Sequence, residues 1–481
     1  MKRFWLILLS LGLIMAFSAS AFAVDVKFSG SFDAAGVYLD KTNLTKGADV
    51  STAFYYQRLR LKTEFIVAPG LSIITRANIM ERAWGAARST PGTAGAYNAS
   101  GLLPGATESA GTLAENENIA FDWAYIQYAS PIGLWTVGYM LDGPWGTKFG
   151  DSDYANPRIF WILPLAQTGF MLAAGAVKLQ DNSYTAKNPI SATDRDADKY
   201  AVGALYVAKG VEVGLLGGYW RYAGNRASGY SSMPYPYYLI GDNVLTLYGA
   251  LPYAKLQFGP VAIEAELWWI NGEFKYEGNA ANPAFRGTSI KVDNNILAYV
   301  DATVNLGMIY FGGFAIYVAG DDPNTTDKIE GGLLGTGKNL DPTLIMFSQW
   351  RDQWVGNLKG NLATSYIAGS TAATSFQMTN GYMFQGRFGV RPMDKLDILA
   401  KVTYATAATT PTGAPGSPTL NYVGKDYGTE IDLIATYKIT NNLSYMLGAG
   451  YLFTGDYFKG QNAANAVQND FLVINKLTLT F

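Results

Sequence analysis

The chain of 481 residues contains no cysteine and no histidine. Without cysteine there is no disulfide framework, no thiolate metal site and no thiol chemistry. Without histidine every Ser-His, Cys-His or imidazole-ligand mechanism is excluded. Charge is scarce too. Asp, Glu, Lys and Arg make up 15% of the chain, against ~25% in typical soluble proteins. The net charge of −2 provides no global field that would recruit nucleic acid. Apolar runs long enough for a bundle of membrane helices are also missing. Ile159–Val177 and Ala302–Gly320 lack charge, but Pro164 and Gly169 break the first, and Gly307, Gly312 and Gly313 break the second. Each suits two strands and a turn better than one helix.

What is abundant is aromatic residues, 14% of the chain, and glycine, 53 residues. Low charge combined with many aromatics and glycines fits an alternating β-barrel in a membrane. Residues 1–23, MKRFWLILLSLGLIMAFSASAFA, read as a secretory signal peptide. Lys2 and Arg3 form the basic start, Phe4 to Phe17 the apolar core, and Ala21-Phe22-Ala23 the small-residue cleavage site. The run is short for an anchoring helix. The chain is therefore expected to be exported and processed to 24–481.

The rest of the chain alternates with period two. In 26–38 the even positions run Val26, Phe28, Gly30, Phe32 to Tyr38, opposite Lys27, Ser29, Ser31 and Asp33. In 55–67, Tyr55, Leu59, Leu61, Phe65 and Val67 oppose Arg58, Arg60, Lys62 and Glu64. In 426–438, Tyr427, Ile431, Leu433, Ala435 and Tyr437 oppose Asp426, Glu430, Asp432 and Lys438. A soluble sandwich would alternate in the same way, so connection lengths have to discriminate. Short turns at 68–70, 130–133, 164–168, 209–210, 259–260, 305–307, 392–395 and 440–442 alternate strictly with long polar connections. The long ones fall near 41–51, 85–116, 142–156, 180–197, 223–241, 273–291, 320–380, 407–424 and 455–468.

Nine long and eight short connections join eighteen strands. The expected fold is all-β, a transmembrane antiparallel up-and-down barrel with short periplasmic turns and long extracellular loops. The weak point is 320–380, where Pro342–Ser348 could be a strand rather than loop; a miscount of two would allow sixteen. Tyr55-Tyr56, Trp84, Trp268-Trp269, Tyr382, Tyr404, Tyr437 and Tyr451 lie near strand ends, where interfacial girdles would place them.

Charges at alternate positions of a spanning strand are expected to face water, since Lys or Arg on the lipid side costs ~2–4 kcal/mol at midplane. This puts Arg58, Arg60, Lys62 and Glu64 on the inner wall, with Glu264, Glu266, Arg387, Arg391, Glu430 and Asp432. In a ring of eighteen, the second and eleventh strands are opposite, so a basic wall would face an acidic one. The plainer alternative is a wet interior without tuned selectivity. Glu264 and Glu266, two residues apart on an open face, read as solvated rather than as an acid/base dyad.

The final segment FLVINKLTLTF (471–481) places Phe471, Val473, Leu477, Leu479 and Phe481 on one face. It resembles the assembly signal of bacterial outer-membrane barrels, with Phe481 as the residue the barrel-assembly machinery reads. With YYQRLRLKTEF (55–65), FDWAYIQYASPIGLWTVGYM (121–140) and WGTKFGDS (145–152), the chain resembles a Gram-negative porin of general-porin size. The resemblance implies an outer-membrane location among lipid and lipopolysaccharide, a homotrimer, and a third loop folded into the lumen. That loop would be 142–156, carrying Asp142, Lys148, Asp151 and Asp153, set against a basic ladder of Arg58, Arg60, Lys62, Arg76 and Arg82.

The leading expectation is a water-filled channel for passive diffusion of small hydrophilic solutes and ions, with no enzymatic activity and no cofactor or metal. A solute-specific channel for sugars or anions is the nearest alternative, with Trp145, Phe149, Tyr154 and Trp161 as its candidate aromatic track. A structural or adhesive barrel is the other alternative. Two motifs read as decoys. Gly332–Lys338 (GLLGTGK) matches a phosphate-binding loop, but Asn339 stands where Ser or Thr would bind Mg²⁺. Asp194, Asp196 and Asp198 begin like a calcium loop, but Lys199 and Leu205 break it. Like Asp321, Asp322, Asp327 and Glu330, they are expected to be solvated loop residues.

Overall fold

The computed structural model describes residues 24–481 apart from 49, 86–118, 143–144, 153, 182–193, 225, 227–242, 278–286, 323–324, 326, 357, 362–376 and 412–420. The signal-peptide segment 1–23 and Asp153 thus lie outside the described residues.

Eighteen antiparallel strands form the wall. They are β1 (Asp25–Leu39), β2 (Thr52–Ala68), β3 (Leu71–Ala83), β4 (Ala120–Ser130), β5 (Gly133–Asp142), β6 (Tyr154–Pro164), β7 (Phe170–Gln180), β8 (Ala197–Ala208) and β9 (Val211–Tyr222). The second half comprises β10 (Asn243–Phe258), β11 (Val261–Tyr276), β12 (Ser289–Asn305), β13 (Ile309–Val318), β14 (Gly381–Met393), β15 (Leu396–Thr406), β16 (Asp426–Lys438), β17 (Leu443–Thr454) and β18 (Asp470–Thr480). Each pairs with its sequence neighbour, and β1 pairs with β18 from Ser31↔Thr480 to Leu39↔Leu472. Closure leaves no edge, which a lipid environment demands of a sheet. At the seam Gly30 N–H donates to Phe481 O (2.9 Å) and Phe481 N–H to Gly30 O (3.1 Å).

The eight short turns lie on one rim, and the strands enter and leave the nine long connections at the other. At the first turn Pro69 precedes Gly70, which takes φ +77°, a left-handed backbone that glycine adopts without strain. Outward positions form an exposed apolar belt, including Phe28, Ile73, Val137, Val202, Leu215, Leu433 and Leu447.

The wall has the expected eighteen strands, and Pro342–Ser348 lies inside the barrel rather than in the wall. The structure corrects two expectations. Adjacent aromatic pairs split across the wall because successive side chains alternate. Tyr55 and Trp269 face lipid and form girdle contacts, whereas Tyr56 is buried and Trp268 packs on the interior apolar clusters. Tyr427 does not share the lipid face of Ile431 and Leu433. A bulge between Ala405↔Gly428 and Thr406↔Asp426 turns it inward against Phe347, ring centroids 5.2 Å apart. An extra residue in one strand reverses side-chain facing beyond it.

Candidate functional site

The inward row of β2 begins at Tyr56 and continues through Arg58, Arg60, Lys62 and Glu64, and the neighbours of each belong to the same interior face. Arg58 lies between Asp33 of β1 (3.8 Å) and Glu81 of β3 (3.3 Å). Arg60 Nε donates to Asn78 Oδ1 (2.9 Å), and Ser72 Oγ donates to Glu64 Oε1 (3.1 Å). Arg76 is buried, forks onto Asp122 and lies 3.6 Å from the Trp123 ring centre. Arg82 is separated from this group. A bulge at residues 80–81, where Met80 takes φ +52°, pairs it with Gln57, which accepts from Trp84 on the outer side.

Two long connections enter the lumen. The first, after β5, crosses to the wall formed by β10–β12. Thr147 donates to Glu266 Oε2 through its N–H (2.6 Å) and hydroxyl (2.7 Å), and Trp268 Nε1 donates to Glu266 Oε1 (2.6 Å). The loop backbone approaches this carboxylate so closely that a Cβ on Gly146 would sit 2.6 Å from Glu266 Oε2. Phe149 stacks on Tyr299 at 5.3 Å with 2° between planes, and Lys148 reaches Asp301 (3.6 Å), which also receives Arg387 Nη1 (2.9 Å).

The second inserted connection is the longest, 319–380. Glu430, fully buried on β16, accepts from the backbone N–H groups of Leu344 (2.9 Å), Ile345 (2.7 Å) and Met346 (2.7 Å). The Pro342 carbonyl accepts from Gln385 Nε2 and Lys401 Nζ, each at 2.8 Å, and Lys401 also pairs with Asp432 (3.2 Å). A one-and-a-half-turn helix, α1 (Gln349–Trp354), follows, its N-terminus capped by Ser348. Trp354 packs on Tyr56, ring centroids 4.4 Å apart. Ile345, Met346, Phe347, Trp354 and Leu358 join inward residues of the wall in one apolar cluster.

The two loops are joined across the lumen. Gly337 N–H donates to Phe149 O (2.6 Å), Asn339 N–H to Asp151 O (3.1 Å), and Lys338 N–H to Ser152 Oγ (2.9 Å). The decoy segment Gly332–Lys338 therefore supplies the seam between the loops. Beside it lies a polar cavity of about 260 Å³. Arg58, Arg60 and Lys476 face it with positive charge, and Asp33, Glu81 and Asp341 with negative. Trp350 and Trp354 complete its lining.

The opposed basic and acidic walls are not bare. Arg58 is answered by Asp33 and Glu81, and Glu266 is covered by the first loop. Asp142 lies at the rim with Lys199 (2.7 Å) and Arg158 (4.0 Å). Asp151 accepts from Asn339 Nδ2 (2.8 Å) within the seam. Glu264 pairs in register with Lys255 and Asp301. Arg391 binds Asp397 (2.9 Å) near the short-turn rim, away from both loops. Asp194 meets Arg221 (2.8 Å), and Asp198 meets Lys178 (3.1 Å), so these carboxylates are paired rather than merely solvated. Of the candidate aromatics, Trp145 and Phe149 lie in the inserted loop. Trp161 is on the outer face, against Trp135, and Tyr154 lies under Lys338.

A closed, even-stranded barrel with a lipid-facing apolar belt, a charged interior, short turns on one rim and long loops on the other is built like an outer-membrane channel. The chain is an outer-membrane β-barrel. No family model matches it, and no curated protein matches it. Solved structures are similar to it at low identity. The outer membrane protein opdK from Pseudomonas aeruginosa is 14% identical, covering 95% of this chain and 99% of that one, with a TM-score of 0.49. OpdK with vanillate gives 12%, 95%, 99% and 0.48. The outer membrane protein OprD from the same organism gives 11%, 94%, 94% and 0.47.

Proposed function

We propose that this barrel is a selective channel for small hydrophilic solutes, narrower than a general diffusion pore. One observation carries the reading: two loops reach the lumen from different parts of the wall and hydrogen-bond to each other across it. Eighteen strands would otherwise enclose a wide aqueous space. The polar cavity beside the seam has three cationic and three anionic side chains, which favours polar, dipolar solutes over either ion sign.

Purified protein in planar bilayers is expected to give small ohmic current steps. Replacing 342–356 by a short Gly-Ser linker should raise the step size severalfold. Solute uptake into proteoliposomes should saturate with concentration. Absence of steps would overturn the channel, and strictly linear uptake would overturn selectivity while leaving a passive pore.

A further inference from the structure

A second cavity in the lumen has the opposite chemistry. It measures about 120 Å³ and lies between the first inserted loop and the wall of β8–β11. Trp145, Trp220 and Trp268 surround it, Leu216, Leu247 and Leu251 form its floor, and Leu334 of the long loop closes it. We propose that this cavity binds an uncharged apolar group of about five or six carbons, a small ring or a branched chain, with the ligand's polar remainder directed into the lumen.

Three features support that assignment. First, three of the polar groups that line the cavity are already engaged. Trp145 Nε1 donates to Leu251 O (3.0 Å), Trp268 Nε1 to Glu266 Oε1 (2.6 Å), and Lys199 Nζ, at the rim, to Asp142 Oδ1 (2.7 Å). Ordered water in a cavity needs two to four polar partners, and apolar cavities of ~150 Å³ stay dry and take up benzene. A sugar would stack on indole too, but its hydroxyls would find few partners here.

Second, the indoles are laid in place by missing side chains. A Cβ on Gly218 would come within 2.3 Å of the Trp220 ring, on Gly150 within 2.4 Å of Trp268, and on Gly214 within 2.9 Å of Trp145. Third, the cavity is assembled from the wall and both inserted loops, so a guest would engage the same elements that narrow the lumen. An unfilled apolar void of this size costs stability, and a guest relieves that cost.

As a statement about what permeates, the inference rests on the channel reading. As a binding site it does not, and the test reads binding alone. Saturation-transfer NMR is performed on the detergent-solubilised full chain with cyclohexanol and with glucose as probes. Cyclohexanol ring protons should receive saturation from wild type, and at least about threefold less from Leu334→Trp, which fills the cavity from the loop side in the same detergent. Glucose should receive none. Equal transfer in both proteins, or transfer to glucose instead, overturns the proposal.

Crystals soaked in 4-bromophenol supply an independent reading. A bromine peak between Trp145 and Trp268 supports the site, and bromine bound only elsewhere, or not at all, refutes it. Heat-modifiable electrophoretic mobility establishes that the Leu334→Trp barrel is folded. Transfer from a barrel that gives no current steps would refute the channel and leave the site standing.

Discussion

The two inserted loops are held by the same device at different strengths. Each docks its backbone on a glutamate that the wall buries, Glu266 for residues 145–152 and Glu430 for residues 342–347. Glu266 receives two backbone N–H groups, from Thr147 and Gly150, one hydroxyl and one indole N–H. Glu430 receives three consecutive backbone N–H groups, and Gln385 and Lys401 clasp the Pro342 carbonyl beside it. The short loop adds one stacked pair, Phe149 on Tyr299, whereas the long loop adds an apolar cluster around Ile345, Met346 and Trp354. A carboxylate brought out of water needs its lone pairs satisfied. Here the satisfaction comes from a mobile class of element, a loop, so the buried charge fixes where the loop sits.

The comparison is broken most sharply at Glu430. Glu430→Ala leaves three backbone donors unmet, each costing ~1–3 kcal/mol when buried. It should release the long loop and raise single-channel conductance severalfold with increased open-state noise, while Glu430→Gln, which keeps an acceptor, should show a smaller rise. If neither variant changes conductance, the apolar cluster alone holds the loop. Glu266→Ala should act in the same direction but less strongly, because two backbone donors rather than three are orphaned and the seam to Gly337 still tethers the short loop. Conductance in the double variant that exceeds the sum of the two single effects would show that the seam couples the loops.

How much of this was legible in the sequence follows from where the determinants lie. Strand count and rim assignment were readable because turn chemistry is local: Pro69-Gly70 and Lys209-Gly210 announce their turns without reference to the rest of the chain. The inward row Arg58, Arg60, Lys62 was readable because alternation and the cost of charge in lipid operate on a single strand. The short loop's place was suggested by a family resemblance, not by its own residues.

The long loop's place was hidden. Its anchor Glu430 is 84 residues from Met346 in sequence, and only the apolar run Leu344–Phe347 within a polar connection hinted that it was covered. The facing of Tyr427 and Arg82 was hidden for a different reason. Each lies past a bulge, and a single inserted residue inverts a period-two reading. The seam Gly337–Asn339 was masked by its match to a phosphate loop, since glycine spacing reports close backbone approach of any kind.

A smaller effect sharpens the comparison on the electrostatic side. The combined change Arg58→Gln, Arg60→Gln and Lys62→Gln leaves Asp33, Glu81 and Asp341 around the polar cavity with Lys476 as the remaining counter-charge. Reversal potential in a salt gradient should shift toward cations by some millivolts, and more at low salt because screening is weaker. Neutralising Lys148, on the short loop, should shift it less, as that ammonium is half-exposed and shares Asp301 with Arg387. A larger shift from Lys148 would place the narrowest charged region at the short loop instead.

The smallest expected effect separates the loops by pH. At the root of the long loop, where Lys328–Ile329 pair with Lys291–Val292 of β12, Asp321 accepts from Glu330 N–H (3.0 Å). Burial, with the nearby carboxylates of Glu330 and Asp322, pushes its carboxyl up to about 7. Lys328 binds Glu330 (2.6 Å) and lies 3.9 Å from Asp293, and Thr325 Oγ1 donates to Glu330 Oε2 (2.9 Å), so the cluster gathers both signs of charge. A carboxyl whose folded pKa is raised binds its proton more tightly in the folded form, so between the ordinary value near 4 and about 7 stability falls as pH rises. The root of the long loop should therefore be tighter at pH 5 than at pH 8. Amide exchange at residues 328–332, corrected for intrinsic rates, should be slower at the lower pH, and this difference should vanish in Asp321→Asn. Residues 147–151 should show no such dependence on Asp321. A matched response there would mean that the seam passes the root's titration from one loop to the other, and that the two latches behave as a single unit.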